Sequence, residues 1–365
     1  MITDVPLLED VPLAPRTTLG VGGPARFYAE PRSARAARSA LSWARERGMA
    51  VKVLGGGSNL LVADRGVAAL VLGVHIEGID VYTTADGVHV TAGAGEAWDP
   101  FVARAVDAGW AGLECLSGIP GKVGATPIQN VGAYGQDVSE TIERVAAIDR
   151  TTLEAVSFTA AECGFAYRDS VFKRELEGRY LLTHVTFRLA PGGAPALRYG
   201  ELTRALAGTA SPSVAQVRAA VLALRRSKSM VYDPADENHR SAGSFFTNPI
   251  VTEAQLTGAR TAARSLLRAG ETMPEFAAGS GLTKLSAGWL IERSGFARGS
   301  GEGRVGLSTK HALALVNRGG ATATEVVAFA TKVKRRVRDV FGVTLVPEPV
   351  LLGFEADEVS ELLSR

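Results

Sequence analysis

The stretch Ser117-Gly118-Ile119-Pro120-Gly121-Lys122-Val123-Gly124-Ala125-Thr126-Pro127-Ile128-Gln129-Asn130-Val131-Gly132-Ala133-Tyr134-Gly135 carries five glycines and one charge. Gly118, Gly121 and Gly124 leave backbone amides uncovered by side chains. Pro127, Gln129 and Asn130 suit a short helical turn against which a diphosphate or flavin can lie. The other reading is a purely structural loop, unusual at this length. A second glycine cluster lies upstream. Val51-Lys52-Val53-Leu54 reads as a strand and runs into Gly55-Gly56-Gly57-Ser58-Asn59. Consecutive glycines let amides curve into an anion-binding nest. No Gly-Lys-Ser/Thr follows, so this is not a P-loop, and a tight turn between strands stays open as the alternative.

Composition agrees with a ligand-binding globular chain. Glycine makes up 41 of 365 residues, about 11% against a usual ~7%. Hydrophobic residues are 46% and charged residues 21%, which excludes a disordered or fibrous chain. At roughly 150 residues per domain, two or three domains are expected. A net charge of +2 gives no argument for nucleic acid or membrane surfaces. No apolar run reaches the ~18 residues of a membrane span. The N-terminal MITDVPLLEDVP has acids and prolines where a signal peptide needs a basic and then an apolar region. Cys115 and Cys163 form no CxxC and read as buried, reduced thiols. These features point to a cytoplasmic protein.

Element signals alternate along the chain. Strands are expected at 25–29, 51–54, 69–72, 87–93, 145–148 and 180–189. Helices are expected at 33–47, 99–108, 213–228 and 322–341. Ser213 with Gln216, and Thr322 with Glu325, have capping-box spacing. The polar run from Tyr232 to Arg240 marks a domain boundary. The basic cluster Lys332, Lys334, Arg335, Arg336 and Arg338 reads as a solvated helix face suited to the negative end of the dipole. Gly301-Glu302-Gly303-Arg304-Val305-Gly306 satisfies GxGxxG but lacks the strand before and helix after it that a dinucleotide site needs, so it reads as a flexible loop.

Three further motifs can carry chemistry. In Tyr167-Arg168-Asp169-Ser170-Val171-Phe172-Lys173, the acid can hold the arginine and aim it at an anion, or the two can form a surface ion pair. In Gly243-Ser244-Phe245-Phe246-Thr247-Asn248-Pro249, Ser244 can sit in a dry pocket or serve as an N-cap or turn serine. In Val346-Pro347-Glu348-Pro349, the carboxylate is held stiffly between prolines, or is an exposed strand-end acid. The five histidines are scattered and no zinc, calcium-loop or GxSxG pattern occurs, so no metal is expected.

In this order, these motifs resemble those of the UDP-N-acetylenolpyruvoylglucosamine reductase family, longer form. Thr17-Thr18-Leu19-Gly20, the Gly93-Ala94-Gly95-Glu96 run and Tyr199-Gly200-Glu201-Leu202 complete the series. The resemblance spans about Thr17 to Gly353. It implies an α+β chain: a vanillyl-alcohol-oxidase-type (PCMH-type) FAD-binding domain of two α/β subdomains and a C-terminal α+β substrate domain. The implied division is 1–75, with 343–365 returning to it, then 76–228, then 229–342 for substrate.

The resemblance places FAD contacts on Gly55, Gly56, Gly57, Ser58 and Asn59, and on Ser117, Gly118, Ile119, Pro120, Gly121, Gly124, Ala125, Gln129, Asn130, Gly132, Ala133, Tyr134 and Gly135. It makes Arg168, Ser244 and Glu348 catalytic: the arginine and glutamate stabilise an enolate and the serine gives a proton. Tyr167, Tyr199, Lys228 and Asn248 fall on substrate. The implied reaction uses NADPH and FAD to reduce UDP-N-acetylglucosamine enolpyruvate to UDP-N-acetylmuramate for peptidoglycan, cell shape and division, in a monomeric protein. The family's longer form caps substrate with a tyrosine loop, yet 251–285 contains no tyrosine. The final motif reads PEPVLL where many relatives read PEVRF, which is expected to alter a flavin contact. An alcohol oxidase or dehydrogenase of the same flavin fold, or a non-catalytic flavin binder, would share the nests.

Overall fold

A computed structural model describes residues 4–268 and 270–364. The opening Met1-Ile2-Thr3 of the N-terminal stretch, Ala269 and Arg365 lie outside the described residues. Contacts group the chain into two compact units. The first takes residues up to Val11, Ala25–Gly57 and Ala68–Tyr232; the second takes Pro12–Pro24, Ser58–Val67 and everything from Asp233 on.

In the first unit, a four-stranded sheet runs in the order Leu8–Pro12, Pro24–Ala29, Val67–Gly73, Val51–Leu54. The helix expected over 33–47 runs from Ala34 to Glu46. The Ser33 hydroxyl accepts from the Ala36 amide at 3.1 Å, which satisfies one of the helix's orphan donors. This helix buries Ala37, Ala40, Leu41, Trp43 and Ala44.

A larger antiparallel sheet follows, ordered Ala155–Thr159, Ile142–Asp149, Tyr180–Pro191, Gly87–Gly93, Ile79–Thr84. Val88, Val90 and Ala92 share a core with Phe187 and with Trp98, Phe101 and Val102 of the helix Trp98–Asp107. The Phe101 and Phe187 rings lie 5.1 Å apart. Each such large apolar side chain contributes about 1.5–3 kcal/mol by burial. The alternation at 87–93 is only half of the account. His89 is also buried, stacked on Tyr82 at 4.6 Å and bonded through Nδ1 to Glu143 at 2.7 Å. The helix Val214–Arg226 opens with the Ser213–Gln216 capping box and packs Val217 and Val221 beside Cys115. Both cysteines are free and buried, and burial pushes each thiol up to about 12.

The second unit has its own core around the helix Ala323–Phe341. One sheet runs Ser241–Ser244, Ala314–Asn317, Val305–Leu307, Gly301–Glu302. Another runs Ile250–Val251, Thr283–Leu285, Glu275–Ala277. Val350–Leu352 pairs in parallel with Leu60–Val62. The long helix carries the Thr322–Glu325 capping box and ends at Gly342, at φ 65. The Asp64 carboxylate accepts from the Ala323 and Thr324 amides, adding a negative charge at the helix start.

Two sequence expectations need correction here. Residues 301–306 are not a flexible loop but a hairpin, Gly301 facing Gly306 and Glu302 facing Val305. The basic cluster is not wholly solvated either. Lys334 is 3% exposed, its ammonium donating to the Leu362 and Ser364 carbonyls. Arg335 pairs with Glu361, and Arg336 donates to the Ser294 carbonyl. Among the described residues no helix is long and apolar enough to cross a membrane.

Candidate active site

Arg168 lies in the first unit, where the Tyr167–Lys173 loop is stitched to the second glycine cluster. The cluster's short helix Thr126–Gln129 ends at Asn130, which takes the left-handed conformation at φ 43. From there Asn130 Nδ2 donates to the Ala166 carbonyl at 2.8 Å. Ser170 Oγ donates to the Ile128 carbonyl at 2.8 Å. Arg168 returns the bond: Nη2 donates to the Gly132 carbonyl at 2.5 Å and Nη1 to the Asn130 carbonyl at 3.4 Å. Asp137 stands 3.8 Å from Nη1, and the guanidinium lies 5.2 Å from the Tyr167 ring centre. The Lys173 ammonium holds the Arg168 carbonyl at 2.9 Å.

The acid next in sequence does not hold the arginine: Asp169 pairs with Arg174 instead. Carbonyls of the glycine cluster do that work. The close fit depends on Gly132, where an added methyl would lie 3.0 Å from Arg168 Nη1 and closer still to the Asp137 carboxylate. Arg168, Asn130 and Tyr134 all have positive φ (55, 43 and 51). Such strain persists only when the surroundings over-determine it, and it concentrates at functional sites.

The two glycine clusters meet within the first unit. A methyl on Gly56 would sit 2.6 Å from Gly121 Cα, so backbone packs on backbone there. Ser117 is buried, its hydroxyl donating to the Glu114 carbonyl at 2.6 Å. The Gly118 amide donates to Asp99 Oδ1 at 2.6 Å. The ammonium of Lys122 is spent on the Val74 carbonyl at 2.6 Å, and burial pulls its pKa down. Ile119 packs against the larger sheet's core, and the Gly121 carbonyl accepts from the Trp98 amide. Tyr134 and Gly135 form the turn of a small hairpin, Gly132–Ala133 against Gln136–Asp137.

Tyr134 gathers two of the three expected substrate residues of this unit; the third, Tyr167, lies beside Arg168. The Tyr199 ring meets it edge-on at 5.5 Å, and Lys228 Nζ lies 6.0 Å from its centre while pairing with Glu201 at 2.5 Å. Burial pushes the Tyr134 phenol up to about 12 and raises that of Tyr199. Sequence reading missed Arg225, three residues before Lys228. Its Nε is buried and finds no acceptor among the described residues.

In the second unit, backbone pairing brings Ser244 and Glu348 together. Ser244 ends the strand Ser241–Ser244, so it is neither an N-cap nor a turn serine. Phe245 and Phe246 follow, buried at 0% and 1% exposure. The chain there pairs with the final motif: Phe246 faces Pro347, Glu348 N donates to the Phe245 carbonyl at 2.9 Å, and Thr247 N to the Val346 carbonyl at 3.0 Å. Asn59 clamps the same stretch, with Nδ2 donating to the Glu348 carbonyl at 3.2 Å and its own carbonyl accepting from Val350 N at 2.9 Å. Thr18 Oγ1 donates to the Ser241 carbonyl at 2.6 Å, which ties the Thr17–Gly20 motif to the serine strand. Asn248 Oδ1 accepts from the Ala287 amide at 3.0 Å, at the start of the helix Ala287–Arg293. The tyrosine-free region 251–285 forms the second small sheet and a helix, Glu253–Ala263, with Phe276 exposed.

Comparison with known proteins accounts for this assembly of motifs. A family model described as "FAD binding domain" matches residues 25–152, which contain both glycine clusters. A second, described as "UDP-N-acetylenolpyruvoylglucosamine reductase, C-terminal domain", matches 233–352, which contain Ser244, Asn248 and Glu348. The UDP-N-acetylenolpyruvoylglucosamine reductase of Thermobifida fusca is 49% identical over 94% of this chain and 98% of that relative. The chain belongs to the UDP-N-acetylenolpyruvoylglucosamine reductase family. The family's protein from Mycobacterium tuberculosis H37Rv is 48% identical over 95% of both chains. The crystal structure of the family's MurB from Thermus caldophilus superposes with a TM-score of 0.63 at 25% identity, covering 96% of this chain and all of that one. The fold is the expected α+β arrangement of an FAD-binding domain and a C-terminal family domain.

Proposed function

We propose that this chain reduces UDP-N-acetylglucosamine enolpyruvate to UDP-N-acetylmuramate with NADPH, as a cytoplasmic monomer supplying peptidoglycan precursors for cell shape and division. Near-full-length identity to the reductases carries the reading. The chain fits a bound FAD: the two glycine clusters meet as bare backbone, and a buried donor beside them, Arg225 Nε, lacks an acceptor among the described residues. The residues expected to hold FAD are Gly55 to Asn59 and Ser117 to Gly135. We assign 1–75, 76–228 and 343–365 to the FAD side and 229–342 to substrate.

A bound FAD would supply the redox chemistry, carrying hydride equivalents from NADPH to the terminal alkene carbon of the substrate. Negative charge then develops on the neighbouring carbon and spreads into its carboxylate. Arg168, fixed by the Gly132 and Asn130 carbonyls, is a preorganised cation for that enolate. Glu348 is assigned to stabilise the same enolate. Ser244 donates the proton that completes the C–H bond; a positioned neutral hydroxyl is acidic enough beside so basic a carbanion. Tyr167, Tyr199, Lys228 and Asn248 orient the substrate.

The test is anaerobic. NADPH should bleach the flavin of the purified chain, and UDP-N-acetylglucosamine enolpyruvate should restore its colour with formation of the lactyl ether. Restoration by oxygen alone would reject the substrate and favour an alcohol oxidase of the same flavin fold.

A further inference from the structure

Arg225 sits near the C-terminal end of the helix Val214–Arg226, among groups already assigned to ligand. A methyl placed on Gly118 would lie 3.4 Å from its Nε. One Nη donates to the Met230 carbonyl at 2.6 Å. Nε is buried with no acceptor among the described residues. Tyr134 and Asp99 are the groups whose fields favour its charge, while burial pulls its pKa below the ordinary value.

Asp99 is already committed. Arg218 donates to both of its oxygens, at 2.6 and 3.0 Å, and the Gly118 amide adds a third bond. Two guanidiniums therefore share one carboxylate, and among the described residues Arg225 has none at hydrogen-bonding distance. A buried guanidinium that only shares a distant carboxylate, and that keeps a donor without an acceptor, is costly to the fold. A ligand that brings an anionic oxygen to this point would remove that cost.

Arg150 has the only comparable buried Nε among the described residues. Both of its Nη groups are occupied, by the Gly178 and Val51 carbonyls. It borders none of the glycine clusters' assigned residues and serves as the control.

We propose that Arg225 is a ligand-binding residue whose Nε donates to an anionic oxygen of a group seated against the Ser117–Gly121 turn. Two sources share that chemistry: the carbonyl edge of the flavin in its charged, reduced form, and the diphosphate of the sugar nucleotide. The inference rests on FAD lying along this turn. A purified chain that retains no FAD would defeat that reading first.

The test uses the full-length, FAD-loaded chain and two readouts: the flavin midpoint potential from anaerobic dye equilibration, and affinity for UDP from flavin absorbance. Loss of a charge-assisted bond is worth about tenfold or more. If the flavin is the acceptor, Arg225→Met favours the oxidised form tenfold, a shift of about −30 mV, with UDP affinity unchanged. If the diphosphate is, UDP binds about tenfold more weakly at unchanged potential. A folded, FAD-loaded Arg225→Met with neither quantity moved overturns the proposal. So does an equal shift in Arg150→Met, which would indicate general loosening. Should Arg225→Met not accumulate, Arg225→Lys keeps the charge and removes the Nε donor; wild-type values for both readouts in it would be equally decisive against the proposal.

Discussion

The residues around Arg168 and those around Ser244 are held in place by different means. Arg168 depends on side chains: its own guanidinium, the Asn130 amide and the Ser170 hydroxyl tie two loops together across strained backbone. Ser244 and Glu348 depend mainly on main-chain bonds between 245–247 and 346–348, to which the Asn59 amide and the Thr247 hydroxyl add side-chain bonds. A side chain that belongs to its own scaffold cannot be changed without loosening the scaffold. A side chain mounted on a backbone ladder can.

That contrast is open to test. The largest effect should come from Ser244→Ala. Flavin reduction by NADPH should proceed unchanged, and the product-forming half-reaction should slow by about 10³. Stability should stay within about 0.5 kcal/mol, because the ladder needs no serine hydroxyl. Stopped-flow measurement of each half-reaction reads both; normal turnover of the enolpyruvyl substrate would remove Ser244 as proton donor.

Arg168→Met should lower turnover by about 10² or more, and here the structure should respond too. Amides at 128–137 should exchange hydrogen faster, because two carbonyls lose their donor. Unchanged exchange with lost activity would mean the clamp is not structural, and the contrast would collapse.

Gly56→Ala tests the junction of the glycine clusters. The added methyl meets Gly121 Cα at 2.6 Å, and forced overpacking costs about 1–3 kcal/mol. FAD affinity should drop about tenfold on that scale, measured by fluorescence as the flavin is released. Unaltered affinity would show that the two clusters need not touch to bind FAD.

The smallest effect is a pH dependence in the first unit. The hydrogen bond to Glu143 raises the His89 pKa above 6.5, with Asp86 assisting against burial. A raised value in the folded state stabilises fully below pH 6.5 and is lost as pH rises through the folded value. Thermal midpoints should fall over that window in the wild type and be flatter in His89→Gln. Identical slopes in both would assign the dependence elsewhere.

How much of this was legible depended on how far each signal had to reach. Ser213 with Gln216, and Thr322 with Glu325, mark helix starts to within a residue, because capping chemistry is complete within one turn. The glycine clusters announced bare backbone, and the structure adds that they touch. Asp169 misled because its partner is decided by the fold of the loop, which brings Arg174 nearer than Arg168. Lys334 looked solvated because the carbonyls that bury it lie some thirty residues away. The hairpin at 301–306 was hidden by its own glycines, which weaken every strand signal. Arg225 carried no motif; its missing acceptor exists only in three dimensions.

The parallel pairing of Leu60 with Val350 has a consequence for synthesis. At roughly 5–20 residues per second, about 15–60 seconds separate the emergence of the first strand from that of its partner. Through that interval the Leu60–Val62 edge has no mate on that side, and an unpaired strand edge is a template for aggregation. The nascent chain is therefore at its most vulnerable long before its last residues leave the ribosome, and chaperone demand should peak while the earlier strand waits.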